Sequence, residues 1–296
     1  MPDAAPFRVG LAGTGPWAGL AHAPALASAG EIEFAGIWGR NQQAAGDLAS
    51  RYQVTPYRDF SELLAVADAV AFALPPDVQA ALAIRAAAAG KHVLLEKPVA
   101  TTLAGADDVA GAVAEAGVAS VVFFTARFQP DTRAWLAEVG RAGGWAGGQA
   151  TWLGTAMSDS SPFNTPWRRD KGGLWDLGPH VVSMLWASLG PVLRVTADAG
   201  AGDLTHLVLH HDGGATSTVT VTVGAPDAAD GFSGFLWGRA GRSPLPGETL
   251  QPVQALHTAL GELAACARTG QPHECDAAFG RDVVAVLADA ERQLAG

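Results

Sequence analysis

Three short stretches of this 296-residue sequence combine residue types that can hold an anion or move a proton. The first is Gly13-Thr14-Gly15-Pro16-Trp17-Ala18, a match to G-x-G-x-x-G/A. It follows the apolar run Arg8 to Ala12 and opens a helical pattern from Trp17 to Ser28. Glycines there allow a tight turn and close backbone approach to a pyrophosphate, while the helix start stabilises the anion. The second is Glu96-Lys97-Pro98, where the buried-type run His92 to Leu95 ends. Ligands of open α/β sheets bind outside the carboxyl ends of the strands, so a Lys at that edge faces the nicotinamide crevice. The plainer reading is a surface Lys paired with Glu96. The third runs from Gly172-Gly173 through Asp176 to His180. Four residues apart on a helix, Asp176 and His180 share a face, and a carboxylate beside an imidazole suits a general base. The plainer alternative is a capped helix start with His180 on the core face.

The end of the second strand bears on which dinucleotide is held. An NAD enzyme usually offers Asp or Glu there for the ribose 2′-hydroxyl. This chain has Trp38-Gly39-Arg40-Asn41 instead, with no carboxylate in the window. Arg40 can pair a 2′-phosphate with its fork of donors, and Gly39 makes room, so NADP is expected ahead of NAD. A solvated Arg40 at a helix start is the bland alternative.

These residues need a frame, and hydrophobic periodicity supplies one. Strand-like runs at Arg8–Ala12, Ile32–Trp38, Ala69–Leu74, His92–Leu95 and Ser120–Thr125 alternate with helical patterns at 17–28, 41–52, 61–66, 78–89 and 109–116. That alternation implies parallel strands with right-handed crossovers, a Rossmann-type doubly wound α/β unit over residues 1–125. Residues 126–296 change texture. Runs at Gly147–Thr155, Val192–Ala199, Leu204–His211, Thr216–Val223 and Phe232–Gly238 read as strands, and Asp212-Gly213-Gly214 signals a hairpin. Thr216, Thr218, Thr220 and Thr222 alternate with Val219, Val221 and Val223, a period of two with one polar face. Helices return at 253–269 and 277–294. The second part is expected to be an α+β domain on a large, mainly antiparallel open sheet.

Composition limits the partners. The net charge of −10 argues against sequence-independent nucleic-acid binding. Hydrophobic residues make up 49% of the chain, enough to bury a sizeable core. Its apolar runs are broken by Asp68, Asp77, Arg85 and Lys91, so no membrane span is expected. With no basic segment followed by an apolar stretch in Met1 to Pro6, no secretion signal is expected, and two cysteines, Cys266 and Cys275, fit a reduced cytoplasmic protein. His206, His210 and His211 read as a polar sheet face rather than a metal site, and none is expected elsewhere.

Gly13 to Ala18, Leu74-Pro75-Pro76, Glu96-Lys97-Pro98, Arg127-Phe128-x-Pro130, Trp167-Arg168 and Gly172 to His180 stand in an order that resembles the glucose-fructose oxidoreductase / inositol dehydrogenase (Gfo/Idh/MocA) family. The resemblance covers essentially the whole chain. It implies an NAD(P)-dependent oxidoreductase acting on a hydroxyl or carbonyl of a sugar, cyclitol or related polyol. It further implies Lys97, Asp176 and His180 as the catalytic group, with His180 accepting the hydroxyl proton and Lys97 stabilising alkoxide charge. Cofactor contacts are implied at Gly13, Thr14, Gly15, Pro16, Trp17, Gly39, Arg40, Leu74, Pro75, Glu96, Lys97 and Arg127. A cis Pro98 and a homodimer or homotetramer through the second-domain sheet belong to the same expectation. Substrate contacts are expected from Lys97, Trp167, Arg168, Asp176 and His180, with Trp167 or Trp175 stacking on a sugar ring or filling core. The family's Thr-Pro-Asn-x-x-His is replaced here by Leu74-Pro75-Pro76-Asp77-Val78-Gln79. Arg168, Arg169 and Lys171 suit either an anionic substrate or a solvated loop with Asp170 as partner. Two other readings fit the motifs: a reductase of a dihydrodiol, imine or tetrapyrrole, and an NADP-sensing regulator without turnover.

Overall fold

The computed structural model describes residues 5–239, 241–247 and 251–296. Residues 1–4, 240 and 248–250 lie outside this description, and with them most of the Met1–Pro6 stretch read above. By packing, the chain divides into two units, Met1–Phe123 with Gln251–Arg281, and Phe124–Leu250 with Asp282–Gly296.

The first unit is a six-stranded parallel sheet of β1 (Phe7–Ala12), β2 (Ile32–Trp38), β3 (Pro56–Tyr57), β4 (Ala69–Phe72), β5 (His92–Glu96) and β6 (Ser120–Phe123). Spatial order is β3-β2-β1-β4-β5-β6, the doubly wound order in which the switch lies beside β1. The helical stretch after β1 starts with a π turn (Ala18–His22) and continues as α1 (Ala23–Ser28). Between the later strands run α2 (Gln42–Tyr52), α3 (Phe60–Val66), α4 (Pro76–Ala88) and α5 (Leu103–Ala116). Their starts are written in capping residues: Asn41 accepts from Ala44 N–H at 3.1 Å, and Thr102 accepts from Gly105 N–H at 3.1 Å. The Thr102 cap explains why α5 begins six residues before the expected Val109, since weak periodicity hid its first turns. β4 and β6 consist wholly of buried residues, as a strand covered on both faces requires.

The second unit opens with α6 (Pro130–Ala142), which had no counterpart among the expected elements. It contains α7 (Pro166–Asp176), α8 (Gly178–Leu189) and a six-stranded sheet of β7 (Trp145–Leu153), β8 (Val192–Ala199), β9 (Thr205–His211), β10 (Thr216–Thr222), β11 (Gly231–Gly238) and β12 (Gly241–Pro244). Its order is β12-β11-β7-β10-β9-β8. Only β7 and β10 run parallel, so the sheet is mixed and mostly antiparallel. The Asp212-Gly213-Gly214 hairpin joins β9 to β10, with Gly213 and Gly214 both left-handed at φ +86° and +88°. Thr216 and Thr218 face outward on β10, while Ser217, Val219 and Val221 are buried.

Two long helices complete the chain, α9 (Pro252–Thr269) and α10 (Ala277–Leu294). Apolar residues on one face of α9, among them Leu256, Leu260 and Leu263, are buried where the helix packs on α1, β5 and β6. This places 251–281 with the first unit, where composition had grouped everything after residue 125 together. Among the described residues no helix is long and apolar enough to cross a membrane.

Candidate active site

In the first unit the site is built at the carboxyl edge of the parallel sheet. β1 ends at Ala12, and Gly13 turns the chain at φ +136° while its N–H donates to the Trp38 carbonyl at 2.8 Å. A Cβ on Gly13 would stand 2.3 Å from the Ala73 carbonyl oxygen, so no other residue fits. Gly15 is exposed, with nothing within 4 Å of where its Cβ would point. Open space above a glycine turn that leads directly into a helix fits a dinucleotide pyrophosphate. Thr14 and Gly39 touch across the turn, since a Cβ on Gly39 would meet Thr14 Cγ2 at 2.5 Å. Arg40 is exposed beside them, and Leu74 and Pro75 are half-buried at the end of β4.

Glu96, the last residue of β5, is buried and tied on both its side chain and its main chain. Its Oε1 accepts from Trp17 Nε1 at 2.6 Å and meets His22 Nε2 at 2.8 Å. His22 is fully buried, and Nε2 is the ring nitrogen that faces this carboxylate. Gln79 donates to the Glu96 carbonyl at 2.8 Å and accepts from the Glu96 N–H at 2.8 Å. Its amide also reaches the carbonyls of Pro98 and Val99, both at 3.4 Å. The turn that carries half-buried Lys97 is therefore clasped from two sides, and the Lys97–Pro98 bond is cis, as expected. Glu96 is thus engaged by Trp17 and His22, and His22 holds this carboxylate from inside the first unit. Gln79, at the position where the family motif has His, carries the clasp.

In the second unit α7 and α8 meet at Leu177, with Asp176 closing one helix and His180 in the first turn of the other. The Asp176 carboxylate, buried, accepts from Arg168 Nε at 2.7 Å. Arg168 also donates to the Phe163 carbonyl at 3.2 Å and lies over the Trp167 ring at 4.9 Å. Its guanidinium is thus occupied by Asp176, not by Asp170 as the loop sequence suggested. Lys171 likewise bonds Glu291 at 2.9 Å, and buried Trp175 donates to the same oxygen at 3.0 Å. Trp175 fills core; Trp167 stays half-buried. Arg127 is buried and donates to the Ser183 carbonyl at 3.1 Å.

Why the Gly172-Gly173 pair stands there is now visible. Gly172 is left-handed at φ +61°, and a Cβ on Gly173 would lie 2.6 Å from Thr222 Cα. Asp203 pins this crossing: its carboxylate accepts from Gly173 N–H and Val223 N–H, each at 2.8 Å, and from the Thr222 hydroxyl. Beside His180, a narrow recess is lined by Trp152, Val181, Met184, Phe232, Ala126 and Pro246. The Trp152 ring lies 5.4 Å from the His180 ring and 5.5 Å from that of Phe232. Neither Asp203 nor these aromatics was found from the sequence. Asp203 sits in a turn with no motif, and Trp152 and Phe232 meet only through the pairing of β7 with β11.

Comparison with known proteins matches this arrangement. The oxidoreductase family with an NAD-binding Rossmann fold, Gfo/Idh/MocA, matches residues 7–124, and the C-terminal domain of the same family matches 122–242. A 4-carboxy-2-hydroxymuconate-6-semialdehyde dehydrogenase from Sphingobium is 35% identical over 42% of this chain and 40% of its own. A D-xylose 1-dehydrogenase (NADP+) from Haloferax volcanii is 32% identical over 67% of this chain and 64% of its own. The chain thus spans less than two thirds of these relatives. A solved levoglucosan dehydrogenase, complexed with NADH and levoglucosan, superposes with a TM-score of 0.85 at 20% identity, covering 98% of this chain and 97% of that one. With both halves matched in order, this chain belongs to the Gfo/Idh/MocA family of NAD(P)-binding oxidoreductases.

Proposed function

We propose that this protein is an NADP(H)-preferring oxidoreductase acting on a hydroxyl or carbonyl of a sugar, cyclitol or related polyol. The observation that carries the reading is the bond from Trp17, in the dinucleotide turn, to Glu96, which immediately precedes Lys97. It joins the segment suited to a pyrophosphate to the lysine suited to an alcohol oxygen. The nicotinamide, when bound, accepts or supplies the hydride. His180 accepts the hydroxyl proton, and Lys97 donates a hydrogen bond to the same oxygen and stabilises its developing charge. Asp176, held by Arg168, orients and polarises the pair. Arg40, exposed after β2, pairs the 2′-phosphate of NADP. The outward Thr216 and Thr218, with exposed Val208 and Trp237, support a homo-oligomer through the open face of the second sheet. A cytoplasmic location accords with two free cysteines.

The test is a panel of sugars and polyols with NADP+ or NADPH at several pH values. Turnover that disappears in Lys97→Met and His180→Ala is expected; no turnover by the wild type on any of them sinks the substrate class. The apolar recess beside His180, with Trp152, Phe232 and Met184, favours a second reading, reduction of a less polar carbonyl such as a semialdehyde. Adding such aldehydes to the same panel separates the two.

A further inference from the structure

Arg40 is exposed at the end of β2, and a second exposed cation there comes from a different segment. The turn between β3 and α3 brings Arg58 to this edge. Its carbonyl oxygen accepts from Trp38 Nε1 at 3.2 Å and from Gln42 Nε2 at 3.3 Å. The same Gln42 amide donates to the Gly39 carbonyl at 2.9 Å, so a single side chain ties the 39–40 backbone to residue 58. The Trp38 ring is held in turn against Phe60, 5.2 Å away, which carries the Arg85 guanidinium on its ring at 5.3 Å. The two carboxylates nearest Arg58 in sequence, Asp59 and Glu62, both serve the capping box of α3, where Glu62 accepts the Arg58 and Asp59 N–H groups at 3.0 and 3.2 Å. Arg40 and Arg58 are both exposed, and neither guanidinium has a carboxylate partner among the described residues.

The Gln42 and Trp38 bonds bring the backbones of residues 39–40 and 58 to one end of the sheet, and two guanidinium arms that reach a shared dianion from there would each bond it with charge assistance. We propose that Arg58 is a second specificity residue, which with Arg40 forms a two-armed cradle for a ribose 2′-phosphate monoester. The ligand class is an adenine nucleotide phosphorylated at the 2′ position. Gln42 and Trp38 are positioning residues that hold the two arms in register. This rests on the NADP reading of Arg40 and adds a residue 18 positions away that no fingerprint at the end of β2 contains.

The experiment needs no substrate. Calorimetry on the intact protein measures the affinities for NADP+, NAD+ and adenosine 2′,5′-bisphosphate in wild type, Arg58→Ala, Arg58→Lys, Arg40→Ala and the double alanine variant. Arg58 bonds its neighbours through its backbone, so the alanine variant keeps both tethers; circular dichroism checks its fold. Expected are a wild-type preference for NADP+ and a loss in Arg58→Ala of about tenfold for NADP+ and the bisphosphate. The loss for NAD+ should be several-fold smaller, and Lys at 58 should restore part of the affinity. Because both arms hold one phosphate, the two alanine effects should not add. If the wild type prefers NADP+ and Arg58→Ala changes both dinucleotides equally or not at all, Arg58 has no such role and the Arg40 reading stands. If the wild type binds NAD+ as tightly as NADP+ or tighter, the NADP reading falls, and the cradle with it.

Discussion

Trp17 Nε1 donates to Glu96 Oε1 at 2.6 Å, across 79 residues of sequence. One belongs to the glycine turn after β1 and the other closes β5, two strands away in the sheet. A buried carboxylate needs its donors, and removing them leaves charge without compensation. Glu96→Ala should therefore lower the unfolding free energy by about 2–4 kcal/mol, and Trp17→Phe, which keeps the ring, by about 1–2 kcal/mol. Urea denaturation reads both; a smaller effect for Glu96→Ala than for Trp17→Phe contradicts the carboxylate as the centre of this cluster.

Gln79 satisfies both backbone groups of Glu96 from one amide. Gln79→Leu keeps the bulk and orphans a buried N–H and C=O, at about 2–3 kcal/mol for the pair. Amide hydrogen exchange should show the Glu96 N–H exchanging faster than in wild type. Unchanged protection there argues that the main chain has another partner.

The glycine pair before Asp176 answers to close packing. Gly173→Ala places a methyl 2.6 Å from Thr222 Cα, so the strand or the helix must move. The expected cost is about 2–4 kcal/mol, from overpacking of a tight backbone crossing. Gly111, with nothing within 4 Å of its Cβ position on α5, is the control, where alanine should be neutral or stabilising. Thermal unfolding distinguishes the two.

Catalytic assignment has its own measurement. With any substrate that the panel identifies, Lys97→Met and His180→Ala should each lower turnover by about 10²–10⁴-fold, and in His180→Ala, which is outside the expected cofactor contacts, NADPH affinity should change little. Normal turnover in either variant removes that residue from the chemistry.

His211 supplies a pH prediction. Its Nε2 meets the Ser217 hydroxyl at 2.8 Å and its Nδ1 meets the Gly190 carbonyl at 2.8 Å. Burial holds its pKa below the ordinary 6.5, outweighing the opposite pull of the Gly190 carbonyl. The folded state thus binds a proton less readily than the unfolded chain. Its contribution is intact above pH 6.5 and is lost as pH falls from there through the lowered folded value. Unfolding free energy measured from pH 7.5 to pH 5 should fall less steeply in His211→Gln than in wild type.

Much of the first unit was legible because its signals are local. Parallel strands buried on both faces read as short apolar runs, and Gly13 and Asn41 mark a turn and a cap by backbone needs that few other residues meet. Helix α6 and the early turns of α5 were missed because their apolar stripes are narrow and Ala-rich. The division at residue 125 left out the return of α9, since an amphipathic helix does not state which sheet it will cover.

The sequence by itself determined the glycine turn after β1, the family and the two-part architecture. These rest on residue type and spacing over a few positions. Tertiary structure decided which partner each charged or polar group has. It gave Glu96 to Trp17 and His22, Asp176 to Arg168, Lys171 to Glu291, and the carbonyl of Arg58 to Trp38. Apart from Arg168–Asp176, these pairings span tens of residues or more. A buried polar group must be satisfied by whatever the fold brings within about 3 Å, and sequence spacing does not encode that distance.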